Sequence, residues 1–382
     1  MIEVKAPGKI MLAGEWSILE PGHSCIVLPV NKFVTARIQE SKKIIFNSDY
    51  IGLKNVVLRW SLDHLMSHLI IESSLSEQLS AKFNICFCAI KNCLQFLTEQ
   101  GVVIKPFELS VCSELSCIKI DDSNFSKPGL GSSAAVTVAV CKAILKFHDF
   151  DIDSVCHPDL DSGSINCITF HNLELVFKLA CLSHYFASGK LGSGFDIACS
   201  TYQKPLVYSR FDQIWLDQKL TDLKKISEVV LLKWPTLKIK EIKLPENMHV
   251  LIGFVGSSSS TLKMIEKMQK FRQQNLVFYK KIMAAINSVV FRLVRALENC
   301  DQVEIINLIN QNRDFLANLG AESCIEIETK KLGQLIEIAK TFGAAAKFSG
   351  AGGGDCGIAV CFDKIVVAKI TDEWNIAGIK SI

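Results

Sequence analysis

The chain has no run of the about 18 apolar residues that a membrane-crossing helix needs, although 49% of its 382 residues are hydrophobic and mean hydropathy is +0.27. Its opening, Met1-Ile-Glu-Val-Lys-Ala-Pro-Gly8, holds no apolar stretch of a secretion signal, so the protein is expected in the cytoplasm and away from membranes. The 15 cysteines are odd in number and form no C-x-x-C pair, the usual sign of a zinc site or disulfide framework, and they read as reduced core thiols. Basic blocks are missing too. A formal charge of +3 without an arginine stripe gives no support to nucleic-acid binding. Internal repeats and low-complexity segments are also absent. What remains is a long apolar chain, enough for about two domains.

The pattern opens as sheet. Ile2 to Ile18 reads as two strands around a turn at Ala6-Pro-Gly8, followed by a turn at Pro21-Gly22 and apolar strands through Ile38. Phe83, Phe87, Ile90, Leu94 and Leu97 recur at helical spacing, which predicts an amphipathic helix from Glu77 to Gln100 closed by Gly101. A strand from Phe107 to Leu115 and a largely buried helix from Cys167 to Ala187 are expected next. His64 and His68 have the spacing of a zinc helix in a segment read as helical, but Leu65 stands where a metalloprotease has its glutamate, and no metal site is read there. Lysines gather in a strand-like stretch near Pro235 to Pro245, and Val250 to Val255 begins a second unit. Strand, three long helical stretches, and strands at Ala345 to Phe348 and Gly357 to Phe362 suggest an α+β sandwich. The division is placed at residues 1–220 and 221–382.

Three glycine-rich stretches stand out. Pro128-Gly-Leu-Gly-Ser-Ser-Ala134 runs into an apolar segment that looks helical. Gly129 and Gly131 let backbone approach an anion, Ser132 and Ser133 add hydroxyls, and the helix would aim its positive dipole end at a phosphate. The stretch lacks both the Lys-Ser/Thr ending of a Walker loop and the G-x-G-x-x-G of a dinucleotide site, and on its own it serves equally as a tight helix start. Gly189-Lys-Leu-Gly-Ser-Gly-Phe-Asp-Ile-Ala198 surrounds Asp196 with backbone, either for access to a ligand or as an Asx turn. In Ser349-Gly-Ala-Gly-Gly-Gly-Asp-Cys-Gly357 the density of glycine costs backbone entropy unless the chain adopts unusual dihedrals or lies against a ligand.

Ala6-Pro-Gly-Lys-Ile-Met-Leu-Ala-Gly-Glu15, Pro128-Gly-Leu-Gly-Ser-Ser-Ala134 and Lys347-Phe-Ser-Gly-Ala-Gly-Gly-Gly-Asp355 resemble the three ordered motifs of the galactokinase, homoserine kinase, mevalonate kinase and phosphomevalonate kinase (GHMP) superfamily, across nearly the whole chain. The resemblance implies an N-terminal domain like domain 2 of ribosomal protein S5, a ferredoxin-like C-terminal domain, and ATP with Mg2+ in the cleft between them. Leu19-Glu-Pro-Gly22, the loop around Asp196 and the close Gly-Gly-Asp-Cys-Gly357 are similar to the phosphomevalonate kinase family. A mevalonate kinase usually shows Pro-Ser-Gly-x-Asp-Asn around the acid, with a metal-binding Glu before it. Here Ile197 follows Asp196, and Tyr185, flanked by His184, stands at the earlier position.

What this resemblance implies is phosphoryl transfer from ATP to the 5-phosphate of mevalonate 5-phosphate. On that template Pro128, Gly129, Leu130, Gly131, Ser132, Ser133 and Ala134 hold the nucleotide phosphates, and Ser133, or failing that Ser132, touches Mg2+. Lys9 lies between donor and acceptor, with Asp196 orienting it or the acceptor. Lys190 grips the acceptor's phosphate, and Ser193, Ser257, Gly352, Gly353 and Asp355 shape the substrate pocket. Two other readings stand beside it: a mevalonate kinase or other small-alcohol kinase, and a catalytically silent metabolite sensor. The presence of Lys9 and Asp196 speaks against the sensor.

Overall fold

The structure, a computed structural model, describes residues 1–63, 66–116, 118–119, 125–126, 128–150, 156–157, 168–169, 172–189, 192–222, 225–256 and 261–382. The first strand, Ile2–Ala13, pairs antiparallel with the long strand Ser24–Glu40. Two strands around Ala6-Pro-Gly8 give way to one, because the register shifts between Pro7 and Lys9. Such a bulge absorbs the donor that proline lacks and lets the strand run on. Around this pair the sheet runs in the order Lys238–Glu241, Leu206–Ser209, Ser24–Glu40, Phe107–Ser113, Ile44–Ser48, Leu53–Asp63 and Met66–Ile71. Its pairings are antiparallel except that of Ile44–Ser48 with Phe107–Ser113.

Lys238–Glu241 therefore belongs to the first sheet, and the first unit extends past the division expected at residue 220. The strand-like reading of this lysine-rich stretch holds, and an edge strand tolerates its exposed lysines. His68 lies in the strand Met66–Ile71, with exposed His68 and Ile70 alternating about buried Leu69, so the helical reading of this segment is corrected to a strand. His64 lies outside the described residues.

Helix Glu77–Glu99 starts where Ser76 Oγ accepts from Leu79 N at 3.4 Å and ends before Gly101 at φ 77°. It buries Phe83, Cys86, Ile90 and Leu97 against helices Ser132–Phe147 and Asn172–Ser188. The last of these begins at Asn172 rather than Cys167, since Ile168–Thr169 pairs as a short strand with Cys156–His157.

The second sheet is wholly antiparallel and runs Ala345–Phe348, Cys356–Cys361, His249–Phe254, Lys380–Ser381. In chain order these are its second, third, first and fourth strands, the ferredoxin-like arrangement. Four helices, Thr261–Gln274, Leu276–Glu298, Gln302–Ser323 and Lys330–Thr341, stand where three long stretches were expected, because Asn275 leaves helical geometry between the first two. Helix Lys364–Ile376 completes the unit.

Between the two units lies a continuous apolar core. Val289, Leu293, Leu308 and Ile358 of the second unit pack into the core of the first, and Trp16 of the first is buried in that of the second. Full burial of each such side chain stabilises by roughly 1.5–3 kcal/mol, so this seam holds the loops at its rim in register. Among the described residues no helix is long and apolar enough to cross a membrane.

Candidate active site

At the bulge of the first strand, Lys9 N donates to Leu130 O at 2.8 Å. This approach needs Gly8, where a Cβ would come within 2.8 Å of the same carbonyl and 2.6 Å of Leu115 Cδ2. Lys9 itself is buried at 7% exposure, and its ammonium donates to Gly129 O at 2.8 Å and lies 5.6 Å from the centre of the Phe195 ring. An ammonium between a carbonyl and an aromatic face is held in one direction.

Gly131 begins helix Ser132–Phe147 in the left-handed region, at φ 79°, and supplies no side-chain cap. The first amides of that helix have no intrahelical acceptor, and together with the dipole they form a ready anion site. A Cβ at Gly131 would lie 3.0 Å from Lys9 Cγ and 3.7 Å from Asp196 Cβ, so this glycine separates the two candidate catalytic side chains. Ser132 is buried, whereas Ser133 is partly exposed and its Oγ lies 3.4 Å from His184 Nε2. Pro128 and Leu130 are buried and hold the loop down, while Gly129 faces out.

Asp196 stands in the first turn of helix Phe195–Tyr202, and its Oδ1 accepts from Ile197 N at 2.9 Å. That helix starts at Gly194, φ 84°, where a Cβ would come 2.7 Å from the Tyr208 hydroxyl. The same hydroxyl donates to Ser193 O at 2.7 Å and fixes the approach to the acid. Buried Cys199 is held well above the usual thiol range, first by burial, and is a neutral packing group beside the charges.

The third loop closes on the first two. A Cβ at Gly129 would meet Asp355 Oδ2 at 2.5 Å, so Asp355 lies directly over the phosphate-loop candidate. Ser349 Oγ accepts from Met11 N at 2.7 Å, and Val255 N donates to Asp355 O at 2.9 Å. Of the two causes expected for the glycines, unusual dihedrals apply, since Gly350, Gly352, Gly353 and Gly354 all take positive φ. At Gly352 a Cβ would sit 2.2 Å from Ile327 O, and Gly353 N already donates to that oxygen at 2.7 Å. These two positions are thus shaped by the chain's own backbone, and the amide of Gly353 is spent.

The structure brings Lys9, the loop 128–134, Ser193, Asp196 and Asp355 together. Lys190 and Ser257 lie outside the described residues. Sequence reasoning assigned no role to Glu15, Lys347 and Asn312. Glu15 and Lys347 are fully buried and form an ion pair, with Asn312 Nδ2 donating to Glu15 Oε2 at 3.1 Å. Burial lowers the affinity of Lys347 for its proton, and Glu15 opposes that shift. Glu15 and Lys347 both fall inside quoted motifs, but their pairing spans 332 positions and leaves no local signal.

The fold is that of a GHMP kinase, with the three motifs in order, and the family model described as GHMP kinases C terminal matches residues 293–380. Over 98% of its length the chain is 26% identical to a phosphomevalonate kinase of a Streptomyces species, covering 94% of that protein. It is 28% identical to that of Saccharolobus solfataricus, with 99% and 95% covered. Within the superfamily it therefore sides with the phosphomevalonate kinases. The Streptococcus pneumoniae phosphomevalonate kinase solved in complex with phosphomevalonate and AMPPNP superimposes with a TM-score of 0.77 at 26% identity, covering 100% of this chain and 98% of the other.

Proposed function

We propose that this chain transfers the γ-phosphoryl group of ATP to the 5-phosphate of (R)-5-phosphomevalonate, giving (R)-5-diphosphomevalonate for isoprenoid synthesis. The observation that carries the reading is the convergence of Lys9, Asp196, an uncapped helix start and Asp355 on one glycine loop, in a chain similar throughout to kinases of that name.

The chemistry follows from charge. A phosphate monoester has a second pKa near about 6, so the acceptor is already mostly dianionic at neutral pH and needs no general base. The obstacle is repulsion: two unit charges about 4 Å apart cost roughly 4 kcal/mol at an effective dielectric of about 20. Lys9, anchored at Gly129 O, supplies the neutralising charge between donor and acceptor. Asp196 orients that ammonium or the acceptor, and the amides of Ser132, Ser133 and Ala134 hold the phosphates of ATP.

The residues present fit a magnesium ion that arrives on the nucleotide. Ser133 offers one hydroxyl, partly exposed at the helix start, and among the described residues no group of three or more His, Cys, Asp or Glu stands ready to cage a metal. Bound there, magnesium would neutralise phosphate charge. Placing the reaction in the cytoplasm belongs to the same proposal and rests on the cysteine pattern, which lacks the paired spacing of secreted frameworks.

The test is ADP release with each acceptor. Turnover is expected with mevalonate 5-phosphate, and a kcat/KM at least about 100-fold lower with mevalonate. Preference for mevalonate would make the protein an alcohol kinase, and turnover of neither would favour the silent sensor.

A further inference from the structure

The strand that brings Lys9 to the phosphate loop leads on to Glu15, a carboxylate that the phosphoryl-transfer reading does not use. Glu15 is 1% exposed, and its partner Lys347 is 0% exposed. Three elements meet at this pair: the end of the first strand, helix Gln302–Ser323 through Asn312, and strand Ala345–Phe348 through Lys347. Lys347 Nζ donates in addition to Phe348 O at 2.8 Å, and the next residue, Ser349, accepts from Met11 N at 2.7 Å. The third glycine loop is thereby tied at its root to the strand of Lys9.

The backbone is distorted where this happens. Trp16 has φ 61° and ψ −45°, and Ser17 N donates to Glu15 O at 2.6 Å across it, a tight γ-turn that a bulky residue adopts only under constraint. The indole is buried at 4% exposure in the core of the second unit. A buried ion pair is a weak source of stability, because desolvation offsets much of the attraction and packed apolar groups serve as well. Strain and buried charge held together therefore call for another reason. The parts they join supply it: the strand that aims Lys9, and the loop that sets Asp355 over Gly129.

We propose that Glu15 is a positioning residue, which through Lys347 and Asn312 locks the third glycine loop to the Lys9 strand and so fixes the wall of the phosphate site. The inference rests on the phosphoryl-transfer reading above. Its effect falls on kcat rather than on nucleotide affinity, because the amides that hold ATP belong to helix Ser132–Phe147, which this lock does not touch.

The test compares wild type with the double variant Glu15→Gln/Lys347→Met, which removes both charges at nearly constant volume, and with the milder Asn312→Leu. Thermal unfolding, affinity for a fluorescent ATP analogue, steady-state kinetics and hydrogen exchange of residues 349–356 are measured on the full chain. The double variant is expected to unfold cooperatively and to bind nucleotide within about threefold of wild type. Exchange in 349–356 should quicken at least about tenfold, and kcat should fall about 30-fold with KM little changed. Asn312→Leu should move both readings the same way, by less. A folded double variant with unchanged exchange and kcat overturns the proposal, as does a rise in KM at intact kcat. If the double variant does not fold, Asn312→Leu decides by the same two readings. Quickened exchange in a chain whose wild type turns over neither acceptor would uphold the lock and reject the substrate reading instead.

Discussion

Gly131 and Gly352 both sit at positive φ, 79° and 80°, in loops of similar composition, yet a side chain at each would meet something different. At Gly131 the neighbour is the flexible stem of Lys9, with Asp196 beyond it. At Gly352 it is the carbonyl of Ile327, which belongs to backbone and cannot step aside. The amide of Gly353 is likewise consumed by Ile327, whereas the helix start after Gly131 carries no side-chain cap. One loop leads into a helix start without a side-chain cap, and the other gives the Gly353 amide to its own chain. Glycine enrichment thus records that backbone comes close to something, without saying to what.

The largest expected effect lies in the first region. Lys9→Met removes the cation set against about 4 kcal/mol of repulsion, so kcat should fall about 1,000-fold. Asp196→Asn keeps shape and an acceptor for Ile197 N, and a loss of about 10- to 100-fold is expected. Steady-state kinetics of both from pH 6 to 9 checks this. Were Asp196→Asn the worse, with a carboxylate ionisation missing from its profile, general-base catalysis would replace charge neutralisation.

A paired substitution tests the contrast itself. Gly352→Ala should lower stability by about 2–4 kcal/mol in urea unfolding, through collision with backbone as well as strained φ. Gly131→Ala should cost about 1 kcal/mol of stability but weaken ATP binding at least about tenfold in calorimetry, because Lys9 must yield. The reverse pattern would erase the distinction between the loops. A smaller effect is expected at the helix start, where Ser133→Ala should raise the Mg2+ concentration for half-maximal rate by about threefold to tenfold, and Ser132→Ala by less. Equal, metal-independent effects of the two would remove Ser133 as the metal contact.

Helix Glu77–Glu99 was readable because Ser76, the apolar spacing and Gly101 all act locally. The three glycine stretches were readable as sites of close approach for the same reason. What approaches them was not: Ile327 meets Gly352 through tertiary packing, and Glu15 finds Lys347 across nearly the whole chain. Local signals also misled. Pro7-Gly8 looks like a turn, but pairing to Ser24–Glu40 carries the strand past it through a bulge. Lys238–Glu241, strand-like as expected but beyond the division placed at residue 220, pairs at the edge of the first sheet. In the first case long-range pairing overrode a residue preference worth about 1 kcal/mol or less.

The two regions differ again in their buried lysines, and here the expected effect is smallest. Lys347 has a carboxylate partner, whereas Lys142, on the phosphate-loop helix, donates to the carbonyl of Thr201 at 2.6 Å, at the far end of the helix that carries Asp196. Burial, with Lys146 adding repulsion, lowers the pKa of Lys142 to about 8. The sign follows from proton counting. Below about pH 8 both folded and unfolded chains hold the proton, and the fold bears the full cost of a buried charge. Between about 8 and the unfolded value near 10.5 the unfolded chain binds more protons, so the stability contributed at this site rises with pH. Lys142→Met has no such titration and loses only the bond to Thr201 O. Wild type measured against this variant should therefore gain stability as pH climbs from 7 to 9.5, with other titrating groups cancelling in the difference. Urea midpoints of both proteins at pH 7, 8, 9 and 9.5 read this directly. A difference that stays flat would mean that Lys142 keeps its proton throughout, and that the first region tolerates a buried cation as fully as the paired site at Lys347 does.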